Sequence, residues 1–210
     1  MIGSLWTGRK RVAHVLHATY TSVVQDRKPL TDEELAGRMF AGDEEAAREL
    51  LERYRRPLYS LLFSLTRDYH DAEDAFQETF LRAVRAGSTY DSSRKFRPWL
   101  YAIGLNIVRD TARRRQKNQD PKPASADELE RIAQPSGPES AAGNIEAAQL
   151  VNRALDRLSE EHRIVIVLRF FHSLSESEIA EAAGIPRGTV KSRLHNAINR
   201  MRKMTVMEEE

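Results

Sequence analysis

Positively charged side chains are concentrated in residues 94–117 of this 210-residue chain. This stretch contains eight lysines and arginines and one acid, whereas the whole chain has a net charge of only +2. Apolar residues recur at helical spacing from Trp99 to Ile107, which predicts a helix with one apolar face. The opposite face carries Asn106, Arg109, Asp110 and Arg113. Asparagine and arginine bond base edges and phosphates, so the stretch indicates nucleic-acid binding, with a solvated surface helix as the alternative.

A second basic element lies near the C-terminus. Ser175–Glu178 has the capping-box pattern that starts a helix, and Gly184-Ile185-Pro186 predicts a tight turn after it. Residues 186–203 then carry six lysines and arginines and no acid, and Thr189 is expected to cap this last helix. This order is typical of a DNA-binding helix-turn-helix, although helix hairpins also occur in other proteins. The outward-facing polar residues are Lys191, Ser192, His195, Asn196 and Asn199.

An acidic segment precedes the first basic stretch. Residues 68–80 contain five acids and no lysine or arginine. Such acids repel one another unless an arginine-rich partner meets them, although a solvated face is the default. The predicted buried stripe of this helix is Ala72, Phe76, Thr79, Phe80 and Ala83. The polar loop 87–93 could hold a base extruded from a duplex or be an ordinary connector.

Enzymatic and metal chemistry find little support. The His70-Asp71 dipeptide could suggest a metal-dependent phosphohydrolase, but that chemistry needs several more converging histidines and aspartates. The other histidines lie in unrelated contexts, so we reject this hypothesis. The chain contains no cysteine, which excludes disulfides and thiolate metal sites and suits a reducing cytosol. No apolar run is long enough to cross a bilayer.

Helical periodicity and caps predict an all-α fold with two small domains. The first helix should run from Thr31 to about Phe40, and Asp43 should cap the next one. That second helix is expected to kink or restart at Pro57 and to bury, among others, Leu50, Leu51 and Tyr54. Residues 116–144 are rich in proline and lack periodicity, which indicates a linker. In the second domain, residues 164–171 predict a buried helix.

Motifs in both predicted domains resemble those of the extracytoplasmic-function sigma factors of the sigma-70 family. The resemblance covers roughly residues 31–115 and 146–203. It is carried by Tyr54-Arg55-Arg56-Pro57-Leu58-Tyr59, by His70-Asp71-Ala72-Glu73-Asp74-Ala75-Phe76-Gln77-Glu78-Thr79-Phe80, by Phe96-Arg97-Pro98-Trp99-Leu100-Tyr101-Ala102-Ile103-Gly104-Leu105-Asn106, by Leu155-Asp156-Arg157-Leu158-Ser159 and by Gly188-Thr189-Val190-Lys191-Ser192-Arg193-Leu194.

The resemblance implies three binding surfaces. The acidic helix would dock on the clamp helices of core RNA polymerase through Asp71, Glu73, Asp74, Phe76, Gln77 and Glu78. The minus-10 element, with one base of the non-template strand flipped out, would be engaged by Ser88, Thr89, Tyr90, Asp91, Lys95, Arg97, Asn106, Arg109 and Arg113. The minus-35 element would be read from the major groove by Arg187, Thr189, Lys191, Ser192, Arg193, His195, Asn196 and Asn199.

The resemblance also implies a domain order and a set of partners. Residues 1–30 would be a flexible extension, 31–115 a sigma-2-like domain, 116–145 a linker and 146–210 a sigma-4-like domain. The partners would be core RNA polymerase (beta-prime clamp and beta flap), promoter DNA and an anti-sigma factor, in the cytoplasm. Neither a cofactor nor a catalytic residue is expected. The alternative is a helix-turn-helix regulator that acts without being a polymerase subunit.

Overall fold

The computed structural model describes residues 29–118 and 151–207, so most of the predicted N-terminal extension and of the proline-rich linker lies outside it. All regular elements of the described ranges are helical, which confirms the all-α prediction. The first region contains α1 (Asp32–Phe40), α2 (Glu44–Thr66), α3 (Tyr69–Arg85), a 3-10 turn (Gly87–Thr89) and α4 (Phe96–Asn118). The second contains a helical segment at 151–156, α5 (Glu160–Ile166), a π-helical turn (Val167–Phe171), α6 (Glu176–Ala183) and α7 (Arg187–Met207).

Several helix ends form as their sequences predict. Asp43 accepts hydrogen bonds from the backbone N–H groups of Glu45 and Ala46 and so caps α2. Ser175 and Glu178 form the capping box that starts α6. Gly184 ends that helix with φ of 66°, a left-handed conformation that glycine adopts without steric cost.

Four expectations about individual residues are wrong. Leu51 is exposed rather than buried, because the α2 core stripe runs through Leu50 and Tyr54. Of the two alternatives at Pro57, a restart is wrong, because this residue lies inside an unbroken α2. Phe80 is only half-buried. Thr189 does not cap α7: this helix begins at Arg187, and the Thr189 N–H donates to the carbonyl of Pro186 within the first turn.

The segment 164–171 is helical as predicted, but it is not buried throughout. Residues 164–168 are buried, whereas Phe170 and Phe171 are 59% and 55% exposed. The change coincides with a widening of the helix into a π-helical turn after Ile166. Such turns interrupt the 3.6-residue periodicity from which burial is predicted, so the two aromatic side chains emerge on the surface.

The helix α4 is enclosed on more than one side, which the sequence does not reveal. It packs against α2 and α3 of its own region and against α6 of the second region. Its buried residues therefore include Phe96, Tyr101 and Leu105, whereas Trp99 and Ile103 of the predicted stripe are only half-buried. The backbone N–H of Phe96, at its first turn, donates to the carboxylate of Glu33 in α1. This bond satisfies one of the donors that a helix N-terminus leaves without an intrahelical partner.

Candidate nucleic-acid and protein-binding surfaces

The polar face of α4 is divided between solvent and the second region. Lys95 and Asn106 are exposed, and the Arg113 side chain is 77% exposed beside Asp110. Arg97 and Arg109 are half-buried. Only some of the predicted minus-10 residues of this helix are therefore open to a ligand.

The loop before α4 is built around Tyr90. Its ring contacts those of Phe40, Phe96 and Trp99, and its hydroxyl donates to the Arg94 carbonyl. Burial raises the pKa of Tyr90 to about 12. Asp91 accepts from the backbone N–H and the hydroxyl of Ser93, which lowers the pKa of its carboxyl. Of the predicted loop residues, Ser88, Thr89 and Asp91 are exposed and accessible to a ligand.

The N-terminal half of α7 presents the predicted outward residues on one surface. Lys191, Ser192, His195 and Asn196 are all exposed, and Asn199, which is half-buried, pairs with His195 across one turn at 2.9 Å. Behind this surface, Arg193 forms an ion pair with Glu161 of α5, with 2.8 Å between Nη2 and Oε2. Arg187 and Lys191 lie 3.2 and 3.9 Å from the Glu176 carboxylate of α6.

The acids of α3 have more partners within the chain than the sequence indicates. Asp71 forms an ion pair with Arg115 of α4, and Glu78 accepts from Arg82 one turn later at 2.6 Å. The Arg82 hydrogen bond also lowers the pKa of the Glu78 carboxyl. Asp68 caps the helix by accepting from the Asp71 N–H. Mutual repulsion among these acids is therefore largely relieved inside the chain, and a basic partner is not needed for that purpose.

The outer surface of α3 combines polar and apolar side chains. Asp74 and Gln77 are exposed, and Leu81 and Val84, one and two turns further along, are 51% and 55% exposed. Phe76, in contrast, is buried and contacts the Phe80 ring. Leu81 and Val84 are absent from the docking residues that the resemblance implies. Their spacing at i+4 and i+7 from Gln77 was the available signal.

Polar contacts join α4 to the second region. Arg97 donates to the His172 carbonyl at 2.6 Å and lies over the Tyr101 ring, and Arg109 donates to the Ala183 carbonyl at 3.2 Å. Arg94, just before α4, forms an ion pair with Glu181 of α6 at 2.7 Å. These contacts bring the predicted minus-10 face against the first helix of the predicted helix-turn-helix.

The centre of this contact is the pair formed by Tyr101 and His172. Their rings meet edge to face with centroids 5.4 Å apart, and the Tyr101 hydroxyl lies 3.3 Å from Nδ1 of His172. Both side chains are buried. Burial, together with the nearby positive charge of Arg97, lowers the pKa of His172 to about 4, so its ring is neutral at pH 7.

Within residues 29–118 and 151–207, no group of three or more histidine and acidic side chains is arranged to hold a metal ion. In the same ranges, no helix combines the length and the apolar character needed to cross a membrane.

Both regions match known families. Sigma-70 region 2 matches residues 50–118, and sigma-70, region 4 matches residues 154–203. The chain is similar to the ECF RNA polymerase sigma factor SigW of Bacillus subtilis, with 33% identity over 77% of this chain and 90% of the relative. It is also similar to the RNA polymerase sigma factor NccH of Alcaligenes xylosoxydans xylosoxydans, with 35% identity over 80% of this chain and 91% of the relative.

A solved structure with the same fold is that of CnrH in complex with the cytosolic domain of CnrY. It has 27% identity and a TM-score of 0.63, and the match covers 84% of this chain and 97% of CnrH. The matches span both helical regions in the order that the motifs predict. The chain therefore belongs to the extracytoplasmic-function group of the sigma-70 family, the alternative sigma factors that bind core RNA polymerase and direct promoter-specific transcription without being enzymes.

Proposed function

We propose that α7 reads the minus-35 element in the major groove through Lys191, Ser192, His195 and Asn196. The observation that carries this assignment is that all four side chains are exposed on the N-terminal half of α7, immediately after the turn at Gly184. Recognition helices contact base edges with their N-terminal residues. Arg187, Thr189, Arg193 and Asn199 would support this surface through phosphate contacts or by holding its side chains in place.

The minus-10 element is assigned to α4 and the loop before it. Lys95, Asn106 and Arg113 supply exposed cationic and amide groups, and Ser88, Thr89 and Asp91 supply exposed polar groups beside them. Tyr90 holds the loop against Trp99 and offers part of a ring for stacking of an unpaired base. Arg97 and Arg109 complete the surface when the second region is not in contact with them.

The outer surface of α3 is the part of the chain that we assign to binding of core RNA polymerase. Exposed apolar side chains beside carboxylates suit a protein partner that offers both apolar and basic groups. Asp74, Gln77, Leu81 and Val84 are the groups best placed to contact it, with Glu73 and Glu78 at the margin. Phe76 would contribute from within, by packing the helix, and Asp71 by fixing α3 to α4.

Residues 31–115 and 146–210 would be the two binding domains, and 116–145 the tether between them. We also propose that the chain works in the cytoplasm, where its polymerase and DNA are. An anti-sigma factor is the further partner that we propose, and the solved complex of CnrH with the cytosolic domain of CnrY supports a protein partner of this kind.

A promoter-selection experiment tests these assignments. Purified chain and core polymerase are given a library of random promoter sequences, and the transcribed sequences are recovered. Two conserved elements are expected, and Lys191→Ala should relax only the upstream one. Leu81→Glu should abolish association with core polymerase, whereas Leu51→Glu, which alters an exposed leucine of α2, should not. Duplex binding with no effect of core polymerase on transcript choice would instead indicate a helix-turn-helix regulator.

A further inference from the structure

Glu176, the first residue of α6, contacts the proposed minus-35 face of α7 from the neighbouring helix. Its Oε2 accepts a hydrogen bond from Nε of Arg187 at 3.2 Å and lies 3.9 Å from Nζ of Lys191. Arg187 and Lys191 are four residues apart, so they are neighbours on one side of α7. A single carboxylate therefore contacts the first two cations of this helix.

The carboxylate is the most enclosed member of this group. The Glu176 side chain is 29% exposed, whereas those of Arg187 and Lys191 are 66% and 62% exposed. Arg187 uses its Nε, so the two Nη groups further out can still donate to a base or a phosphate. The Lys191 ammonium is attracted to the carboxylate but is too far away for a hydrogen bond, so its donors also stay available. Glu176 thus restrains both cations and leaves their ends accessible.

A carboxylate in this position weakens general attraction to DNA. Residues 186–203 contain six lysines and arginines and no acid, so that stretch of α7 supplies positive charge only. Glu176 adds a negative charge beside two of these cations, and this charge repels the phosphates of any duplex, whatever its sequence. If affinity for DNA were the only requirement, a neutral side chain would serve better there.

The same carboxylate favours recognition of a matching sequence. Arginine and lysine have long side chains with many rotamers, and ordering them against a base costs free energy. A carboxylate that already attracts both cations restricts those rotamers before DNA binds, so less freedom is lost on binding. The benefit arises only where the bases match, whereas the repulsion acts on every sequence. Specificity is the difference between the two affinities, so Glu176 increases it.

We propose that Glu176 is a positioning residue for minus-35 recognition, which holds Arg187 and Lys191 for base contacts and lowers the affinity of α7 for DNA of other sequence. This inference rests on the proposed role of α7 in reading the minus-35 element. Glu176 acts through the two cations and not by its own contact with a base.

The variant Glu176→Gln tests the proposal, because it removes the charge and keeps the size of the side chain. The variant and the native chain, each bound to core polymerase, are titrated with two labelled duplexes at several salt concentrations. One duplex carries a promoter recovered in the selection described above, and the other differs only in a scrambled upstream element. Glu160→Gln, which removes an exposed carboxylate at the start of α5, is the matched control for loss of charge.

Glu176→Gln should bind the scrambled duplex about three- to fivefold more tightly, because an exposed ion pair no longer competes with the phosphates. The log–log dependence of this affinity on salt should steepen by about one, since one more cation is available to a phosphate. Affinity for the selected duplex should change by no more than about twofold, because the lost positioning offsets the lost repulsion. The ratio of the two affinities should therefore fall, and Glu160→Gln should leave it unchanged.

Arg187→Ala combined with Lys191→Ala provides a second test. In that background Glu176 has no cation of α7 to position, so Glu176→Gln should no longer change the ratio of affinities. A ratio that still falls would mean that the carboxylate reads a base directly, as carboxylates can at cytosine, and would overturn the proposal. An unchanged ratio in the single variant would also overturn it. So would an equal loss of affinity for both duplexes, which indicates a purely structural role.

The native chain tests the proposed function in the same experiment. Equal binding of both duplexes by the native chain with core polymerase would contradict the proposed role of α7, and the inference that rests on it. If the native chain distinguishes the duplexes and Glu176→Gln distinguishes them equally well, only the positioning role of Glu176 is wrong.

Discussion

The two proposed DNA-binding faces of this sigma factor use similar chemistry but differ in accessibility. On α7, Lys191 and Asn196 are exposed, and the acids near them come from the same small region. On α4, Arg97 and Arg109 contact carbonyls of the other region. The proposed face on α7 is accessible, whereas part of the proposed face on α4 is occupied by contacts with the other region.

This difference shows that residue type alone does not define a binding site. An arginine suited to phosphates is equally suited to helix C-terminal carbonyls, because both present oxygen acceptors in a negative potential. Which of them Arg109 contacts depends on where the second region lies, and that is a property of the whole chain. Substitutions on the two faces should therefore behave differently in the free protein and in the holoenzyme.

The largest effect is expected on the open face. Lys191→Ala combined with Asn196→Ala removes two base or phosphate contacts, each contributing about 1–3 kcal/mol, so promoter affinity should fall roughly 100-fold. The loss should be similar with and without core polymerase, because this face is exposed in both states. Fluorescence anisotropy with a labelled promoter duplex measures it. Glu160→Gln, at the exposed start of α5, serves as the control, and an unchanged affinity of the double variant would contradict the role of α7.

A smaller effect that depends on the state of the chain is expected on the covered face. Arg109→Ala should reduce strand opening by the holoenzyme about tenfold, since one charged contact contributes about 1.5–3 kcal/mol. In the free chain the same change weakens the contact with the second region, so duplex binding should not fall. Permanganate reactivity of unpaired thymines reports strand opening. Arg114→Ala, which changes an exposed arginine five residues later in α4, is the matched control. Equal losses in the two states would mean that the covered face is already accessible.

The sequence predicts the elements of this protein better than it predicts their surroundings. Helix caps at Asp43 and Ser175 and the turn at Gly184 are local, because the groups that form them lie within a few residues. The exposed face of α7 is predicted equally well, since a helix that packs on one side keeps its periodicity. The order of the two domains is predicted because the motifs resemble those of a known family.

The contacts of α4 with the second region cannot be predicted from helix caps, turns or periodicity. Arg97 and the His172 carbonyl are 75 residues apart, and nothing in the periodicity of either helix pairs them. Tyr101 was the available clue, as an aromatic residue outside the predicted apolar stripe. The ion pair of Asp71 with Arg115 was missed for the same reason, and with it the neutralisation of the acidic helix.

The contact between α4 and the second region should weaken at mildly acidic pH. His172 has a pKa of about 4 when covered by α4, because of burial and of Arg97, and an exposed histidine has a pKa of about 6.5. When α4 and the second region separate, His172 binds a proton more readily than it does when they are in contact. The contact is therefore at full strength above pH 6.5 and weakens as the pH falls towards 4. At pH 5 the loss is about 2 kcal/mol. Arg94 and Glu181 form an ion pair across this contact, so Arg94→Cys and Glu181→Cys introduced together can be joined by a short bismaleimide. The cross-link yield, corrected for the dependence of maleimide reactivity on pH, measures the change.

The group that faces His172 from α4 besides Arg97 is the Tyr101 hydroxyl, whose own pKa is raised by burial, so it stays protonated throughout this range. His172→Asn keeps a polar group near the Tyr101 hydroxyl but cannot take up a proton. Its cross-link yield should be nearly independent of pH between 5 and 7. The same pH dependence in this variant would assign the titration to another group.

The smallest effect should come from the ion pair of Arg67 with Asp156, which also joins the two regions. Arg67 is largely buried and Asp156 is about half-exposed, so solvent screens their attraction and the pair contributes no more than about 1 kcal/mol to the contact between the regions. Arg67→Asp or Asp156→Arg alone should lower the cross-link yield and raise duplex binding by the free chain up to about fivefold. The two changes together should restore both values, because the charges again attract with their positions exchanged. If the effects of the two changes on cross-link yield and duplex binding simply add in the double variant, each residue acts only within its own region. The ion pair would then contribute nothing to the contact between the regions.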